Sequence, residues 1–127
     1  MKKIEEQIIK AFGPKVYLHD KEFKLSSRDE VVHDRAFKSS YYWLHDNCIF
    51  WYSQNRQQFG FSLRGDNTVI TRSRLRALLG YFCNAQLYMK NGILYFVTNG
   101  NKHEIDPNGI YAIGLNNNLE MFNKEFK

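Results

Sequence analysis

The chain opens with apolar residues at helical spacing. They recur every three or four positions, at Ile4, Ile8, Ile9 and Phe12, and Lys and Glu fill most positions between them. This period predicts an amphipathic helix over Lys2 to Phe12. Gly13-Pro14 follows directly and supplies the stop, because proline cannot continue a helix.

The next segment combines turn residues with a capping pattern. Two short stretches, Val16 to Leu18 and Glu22 to Leu25, flank His19-Asp20-Lys21 and predict a hairpin. Ser27 is followed three residues later by Glu30, which matches a capping box. A second helix is therefore predicted to begin here.

From Tyr41 the pattern changes from helical to extended and aromatic. Three strands are predicted, over Tyr41 to Leu44, Cys48 to Ser53 and Gln58 to Leu63. Polar turn residues separate them, so they are expected to form an antiparallel meander.

The clearest helix follows this meander. Gly65-Asp66-Asn67 turns the chain, and Thr71 is predicted as the N-cap of a helix that ends near Phe82. Its core stripe consists of Leu75, Leu78, Leu79 and Phe82. At about 100° per residue, the opposite pole holds Ser73, Ala77 and Gly80, with Arg72 and Arg76 on one side of it and Arg74 on the other.

A second meander completes the predicted fold. Gln86 to Met89 pairs with Ile93 to Val97 across Asn91-Gly92, a strong hairpin signal. Two more strands, Lys102 to Ile105 and Ile110 to Ile113, flank Asp106-Pro107-Asn108-Gly109, and the end from Asn116 to Lys127 is expected to be a frayed tail with a short helix.

Together these elements predict a single α+β domain over residues 1–127. Its antiparallel sheet consists of two aromatic-rich meanders, on which the N-terminal amphipathic helix and the central Arg-rich helix pack. The composition agrees, since 43% hydrophobic and 16% aromatic residues suffice for one core.

Composition also indicates where the protein acts. The longest apolar runs fall far short of the roughly 20 residues that a membrane helix needs, so no membrane partner is expected. Cys48 and Cys83 form no C-x-x-C motif and lie among apolar residues, as reduced core thiols do. A cytoplasmic location is predicted.

The positive charge is concentrated in the middle of the chain. The total is +5, but Asn47 to His103 holds five Arg and two Lys against the single acid Asp66. Such asymmetry favours a basic surface that meets nucleic acid or an acidic protein surface, although a merely solvated surface would look the same. The predicted binding residues are Arg56, Arg64, Arg72, Ser73, Arg74 and Arg76.

The main functional hypothesis is accordingly a small non-catalytic protein that contacts nucleic acid, or a protein that handles it, through the Arg-rich helix. A second hypothesis is a phage or mobile-element accessory protein that inhibits or regulates a host protein by direct binding. Abundant Asn, Lys, Ile and Tyr favour an AT-rich genome and so this alternative.

Enzymatic chemistry is the third hypothesis. Every histidine precedes an acid, in His19-Asp20, His33-Asp34, His45-Asp46 and His103-Glu104. Neighbouring side chains on a strand point to opposite faces, so these pairs are poor metal ligands. No phosphate loop or dinucleotide motif is present, and we expect no metal, cofactor or catalytic residue. A metal-dependent hydrolase, or a metal-free nuclease using Tyr81, His103 and the arginines, remains the alternative.

Overall fold

The computed structural model describes residues 2–13, 21–114 and 119–121 of the 127-residue chain. The helices are α1 (Lys3–Phe12) and α2 (Val69–Cys83). The strands are β1 (Lys21–Lys24), β2 (Asp29–Asp34), β3 (Ser39–Leu44), β4 (Asn47–Ser53), β5 (Gln58–Phe61), β6 (Gln86–Lys90), β7 (Ile93–Thr98), β8 (Asn101–Glu104), β9 (Tyr111–Ile113) and β10 (Leu119–Met121).

The strands form two antiparallel sheets. The large sheet has the order β1-β2-β3-β4-β5-β9-β10, and the small sheet has the order β6-β7-β8. This confirms the α+β class with an N-terminal and a central helix. The two predicted meanders lie in separate sheets.

Both helices occur where the sequence predicts them, but the second begins earlier. The Thr68 hydroxyl, not Thr71, caps α2 and accepts the Thr71 backbone N–H at 3.3 Å. Thr68 is therefore the last residue before the helix, and Val69 and Ile70 are its first two residues. The helix ends at Cys83, and its C-cap is Asn84, whose left-handed φ of 50° is one that asparagine tolerates.

The second helix predicted after Ser27 is wrong, since this segment is strand β2. Its burial alternates with a period of two, with Asp29, Val31 and His33 facing inward. The neighbouring Ser26 hydroxyl accepts the backbone N–H groups of Arg28 and Asp29, both at 3.1 Å. Ser26 therefore stabilises a turn that leads into β2. Serine hydroxyls stabilise turns as readily as helix starts.

The last strands also differ from the prediction. β9 leaves the second meander and pairs with β5 in the large sheet. The turn before it is anchored there, because the Gly65 N–H donates to the Pro107 carbonyl at 2.9 Å. In the predicted tail, residues 119–121 form β10 beside β9 and not a helix. The rest of that tail, residues 116–118 and 122–127, and the predicted strand Val16 to Leu18 lie outside the described residues.

One core joins the helices to both sheets. Phe12 of α1 packs on Phe50 of β4 with ring centroids 5.1 Å apart. Phe61 of the large sheet stacks on Phe96 of the small sheet at 5.2 Å. The helices therefore cover one face of the large sheet, and within the described residues no helix covers the other face.

Candidate nucleic-acid interface

Arg74 lies inside the protein, contrary to its predicted place on the outer ridge of α2. Its side chain is 8% exposed, and Nε donates to Asp29 Oδ1 at 3.0 Å. Its Nη1 lies 3.5 Å from Glu5 Oε2 of α1. Arg74 therefore links α2 to α1 and β2, and a binding partner cannot reach it without opening that junction.

The wheel misplaced Arg74 because α2 has neighbours on two sides. Position 74 lies four residues before Leu78 and three after Thr71, both of which are buried. It belongs to the border of the core stripe. Two buried carboxylates, Glu5 and Asp29, make that border compatible with arginine.

Asp29 is the centre of this junction. Ser26 donates to Oδ2 at 2.6 Å, and the Tyr42 hydroxyl donates to Oδ1. Burial alone raises the pKa of the Asp29 carboxyl, but the hydrogen bonds from Ser26, Tyr42 and Arg74, with the Arg74 charge, outweigh it and lower the pKa. Burial and Asp29 together raise the pKa of Tyr42, so its hydroxyl stays protonated as a donor.

Ser73 also serves the contact between the helices. Its hydroxyl donates to Glu5 Oε2 at 2.5 Å. The Ser73 side of α2, predicted to contact a binding partner, therefore faces α1 of the same chain.

Arg72 and Arg76 lie on the part of α2 beside β6, which is an edge strand of the small sheet in the described part of the chain. Arg76 is exposed, and its Nε donates to the Leu87 carbonyl of β6 at 2.9 Å. Arg72 is partly exposed, and its Nη1 donates to the backbone carbonyl and Oδ1 of Asn67 at 2.8 and 2.7 Å. Since a guanidinium carries five N–H donors, both keep donors for a ligand.

Arg56 and Arg64 lie on a different surface, the face of the large sheet opposite the helices. Arg56 is exposed in the β4–β5 turn. The Arg64 guanidinium lies 5.5 Å from the centre of the Trp51 ring, and its Nε donates to the Cys48 carbonyl at 2.9 Å. The structure therefore divides the six predicted binding residues among two surfaces and a buried junction.

The small sheet adds groups that the sequence analysis missed. Tyr88 and Tyr95 are cross-strand neighbours with ring centroids 5.6 Å apart. Lys102 of β8 lies over both rings, 4.1 Å from the Tyr95 centroid and 5.9 Å from that of Tyr88. The signal was available, because a two-residue Asn91-Gly92 loop fixes the register that sets these tyrosines opposite each other.

Two of the histidine-acid pairs are split as the strand geometry predicts. His33 faces the core, where Nε2 donates to the Ala11 carbonyl at 2.8 Å and Nδ1 accepts from Ser40 at 2.6 Å in the neutral ring, while Asp34 faces outward. His103 packs on Phe96, whereas Glu104 is exposed. No group of three His, Cys, Asp or Glu placed to hold a metal occurs among the residues that the structure describes. His19-Asp20 lies outside them.

The cysteines are unpaired thiols within the described chain. Cys83 is buried and Cys48 partly buried. Burial raises the pKa of Cys83 to about 12 and that of Cys48 to about 11. Neither thiol is activated as a nucleophile, in agreement with the prediction of reduced thiols in apolar surroundings.

Fold and surfaces define a small α+β protein of two helices and two antiparallel sheets, with cationic and aromatic side chains outside its core. The family model of the Kyanoviridae Gp96 protein matches residues 1–119, so the chain belongs to this phage protein family. No curated protein and no solved structure matches it. Among the described helices, none is long and apolar enough to cross a membrane.

Proposed function

We propose that this phage protein is a non-catalytic binding protein that contacts nucleic acid inside the infected cell. The proposed surface, which we term the basic edge, consists of Arg72, Arg76, Tyr88, Lys90, Tyr95 and Lys102. It runs from the exposed side of α2 across the edge of β6 onto the outer face of the small sheet.

The observation that carries this proposal is the position of Arg76. Its bond to the Leu87 carbonyl fixes the guanidinium at the edge of β6. Side chains alternate along β6, and Leu87 is buried toward the helix. Tyr88 and Lys90 therefore lie on the opposite face and point outward beside Arg76. A cation held in place loses less side-chain entropy when it binds a phosphate.

The tyrosine pair gives the basic edge a second kind of contact. Single-strand binding proteins combine cations that contact phosphates with aromatic rings on which bases stack. Lys102 over Tyr88 and Tyr95 places a cation directly beside two partly exposed rings. In the described ladder, the acid Glu104 pairs with Tyr95 beside this surface. The four cations of the basic edge outnumber it, so the net charge of the surface is positive.

Charge-matched variants test the proposal. Arg72→Gln/Arg76→Gln/Lys102→Gln removes three cations from the basic edge, and Lys2→Gln/Lys3→Gln/Lys10→Gln removes three exposed cations from the distant helix α1 and its N-cap. Fluorescence anisotropy with short single- and double-stranded DNA and RNA is measured at several salt concentrations. The first variant should bind more weakly and lower the salt slope of log K by about 2, because each lost phosphate contact removes about 0.7–0.9.

The control triple should leave the slope nearly unchanged. Equal losses in both triples would show a diffuse charge effect and contradict the basic edge. If the unmodified chain binds no nucleic acid even at low salt, the proposal fails, and an acidic surface of a host protein becomes the partner that the same cations would recognise.

A further inference from the structure

The outer face of the large sheet, by which we mean the face opposite the helices, carries two columns of charged residues on either side of β3. Glu30 and Asp34 lie on β2, and Arg64 and Arg56 lie at the two ends of the β4–β5 hairpin. Between them, β3 presents Tyr41 and Trp43, both partly exposed. The face therefore has an acidic side, an aromatic middle and a basic side.

The strand registers place these charges level with each other. Glu30 pairs with Trp43, which pairs with Cys48, whose carbonyl binds Arg64. Asp34 pairs with Ser39, which pairs with Ser53, whose hydroxyl accepts the backbone N–H of Arg56 at 3.4 Å. Each acid on β2 thus has an arginine at the same height, two strands away.

The apolar residues between the acidic and the basic column are also arranged symmetrically about β3. Val32 pairs with Tyr41, and Tyr41 pairs with Trp51. Val32 and Trp51 are therefore equidistant from β3, one strand to each side. Strands are spaced about 4.8 Å apart, so acid and arginine columns lie roughly 10 Å from each other across β3.

We propose that the outer face binds a second copy of this chain to form a symmetric dimer. A two-fold axis in the plane of the interface and along β3 exchanges the left and right sides of the face. Glu30 of one copy then meets Arg64 of its partner, Asp34 meets Arg56, and Val32 meets Trp51. Tyr41 and Trp43 lie near the axis and contact their own counterparts.

The residue types of the outer face fit such an interface. A standard interface takes about 800 Å² from each partner, which is close to a tenth of the 7581 Å² surface of this chain. Aromatic and Arg side chains are enriched in such interfaces. Phe37, 67% exposed in the β2–β3 turn, adds apolar surface at one end of the face. On β1, Lys24 pairs with Glu30 and offsets part of its charge, whereas Glu22 pairs with Val32 and adds an acid to the same side.

The dimer is independent of the proposed nucleic-acid binding, because the basic edge lies on the small sheet and α2. Either proposal can therefore fail without the other.

Sedimentation equilibrium from about 1 to 100 μM tests the dimer. The chain should be dimeric in the upper part of this range. Glu30→Lys/Asp34→Lys reverses the charge of both β2 acids, and Arg56→Glu/Arg64→Glu reverses the charge of both arginines. Each variant alone should dissociate, with a dimer Kd raised roughly 100-fold or more, because like charges then meet at every ionic contact. An equimolar mixture of the two variants should form a heterodimer.

Two further variants keep the test independent of misfolding. Tyr41→Lys brings two like charges together at the axis and should also give monomers. Glu6→Lys on the exposed side of α1 should leave the dimer intact, and far-UV circular dichroism checks that each variant is folded. A monomer at all concentrations overturns the proposal, as does a dimer that survives both charge reversals.

Discussion

At the residue scale, the Asp29 carboxylate joins a turn, a neighbouring strand and helix α2. It accepts from Ser26 in the preceding turn, Tyr42 on β3 and Arg74 on α2. Asp29 is 1% exposed, so loss of its charge would leave the Arg74 cation buried with Glu5 as its remaining partner. Removing one member of such a buried pair costs about 3–5 kcal/mol.

Asp29→Asn should therefore destabilise the protein by about 3 kcal/mol at neutral pH, and the difference from the unmodified chain should shrink in acid. The folded pKa of Asp29 is lowered below its usual 3.8, so its stabilisation is complete above that value and is lost as pH falls through the folded pKa. Urea unfolding between pH 7 and pH 2 measures the difference. Asp46→Asn in the exposed β3–β4 turn should show no comparable effect. A constant difference over the whole range would contradict the assignment.

The basic character of the middle of the chain was predictable, but not where each guanidinium lies. The excess of arginine between Asn47 and His103 indicates a basic segment. It does not separate Arg74, which neutralises buried acids from α1 and β2, from Arg76, which caps the edge of β6. Both belong to the same helix, and only the tertiary neighbours of each turn decide which guanidinium is exposed.

At the element scale, the packing of β4 against β5 depends on Gly60, which has no side chain. Trp51 pairs with Gly60, and a methyl group at Gly60 would lie 2.0 Å from Trp51 Nε1. The indole therefore lies across the glycine backbone, with the Arg64 guanidinium near its ring. Glycine weakens a strand, and an aromatic cross-strand neighbour that covers it compensates for this loss.

Gly60→Ala should displace the Trp51 ring and cost about 1–3 kcal/mol, as other overpacking substitutions do. Thermal unfolding measures the cost, and tryptophan fluorescence in a Trp43→Phe background measures the greater exposure of Trp51. Gly80→Ala is the matched control, because its methyl group would meet nothing closer than 3.8 Å. That helical substitution should instead stabilise by about 0.5–1 kcal/mol. An unchanged Trp51 emission in Gly60→Ala would contradict this packing.

The elements that the sequence predicted best are those with strong local signals. Helix α1, the core stripe of α2 and the Asn91-Gly92 hairpin all follow from spacing and turn chemistry within one segment. Strand β2 was missed because Ser27 and Glu30 match a helix start, while the burial of Val31 and His33 depends on α1 packing above them. The pairing of β9 with β5 depends on a loop contact with Gly65, 42 residues earlier in the chain than Pro107. Local patterns contain neither kind of information.

At the scale of the whole molecule, two sheets share one hydrophobic core. Phe61 of β5 stacks on both Phe96 of the small sheet and Tyr111 of the large sheet, at 5.2 and 5.4 Å. Helix α2 adds a covalent link, because it connects β5 to β6. A disturbance in the small sheet should therefore reach the large sheet. The chain should unfold as a single unit, which is also what a single domain implies.

Phe96→Ala tests this unity, since both tryptophans of the chain, Trp43 and Trp51, belong to the large sheet and report on it alone. Phe96 is fully buried, so its truncation should cost about 3–5 kcal/mol. In a single cooperative unit, the tryptophan fluorescence transition and the far-UV circular dichroism transition shift together by this amount. Gln86→Ala, an exposed change in the same small sheet, should shift neither. A fluorescence transition that stays in place while part of the dichroism is lost earlier would show that the small sheet unfolds separately, and that the stack of Phe61 on Phe96 does not couple the two sheets.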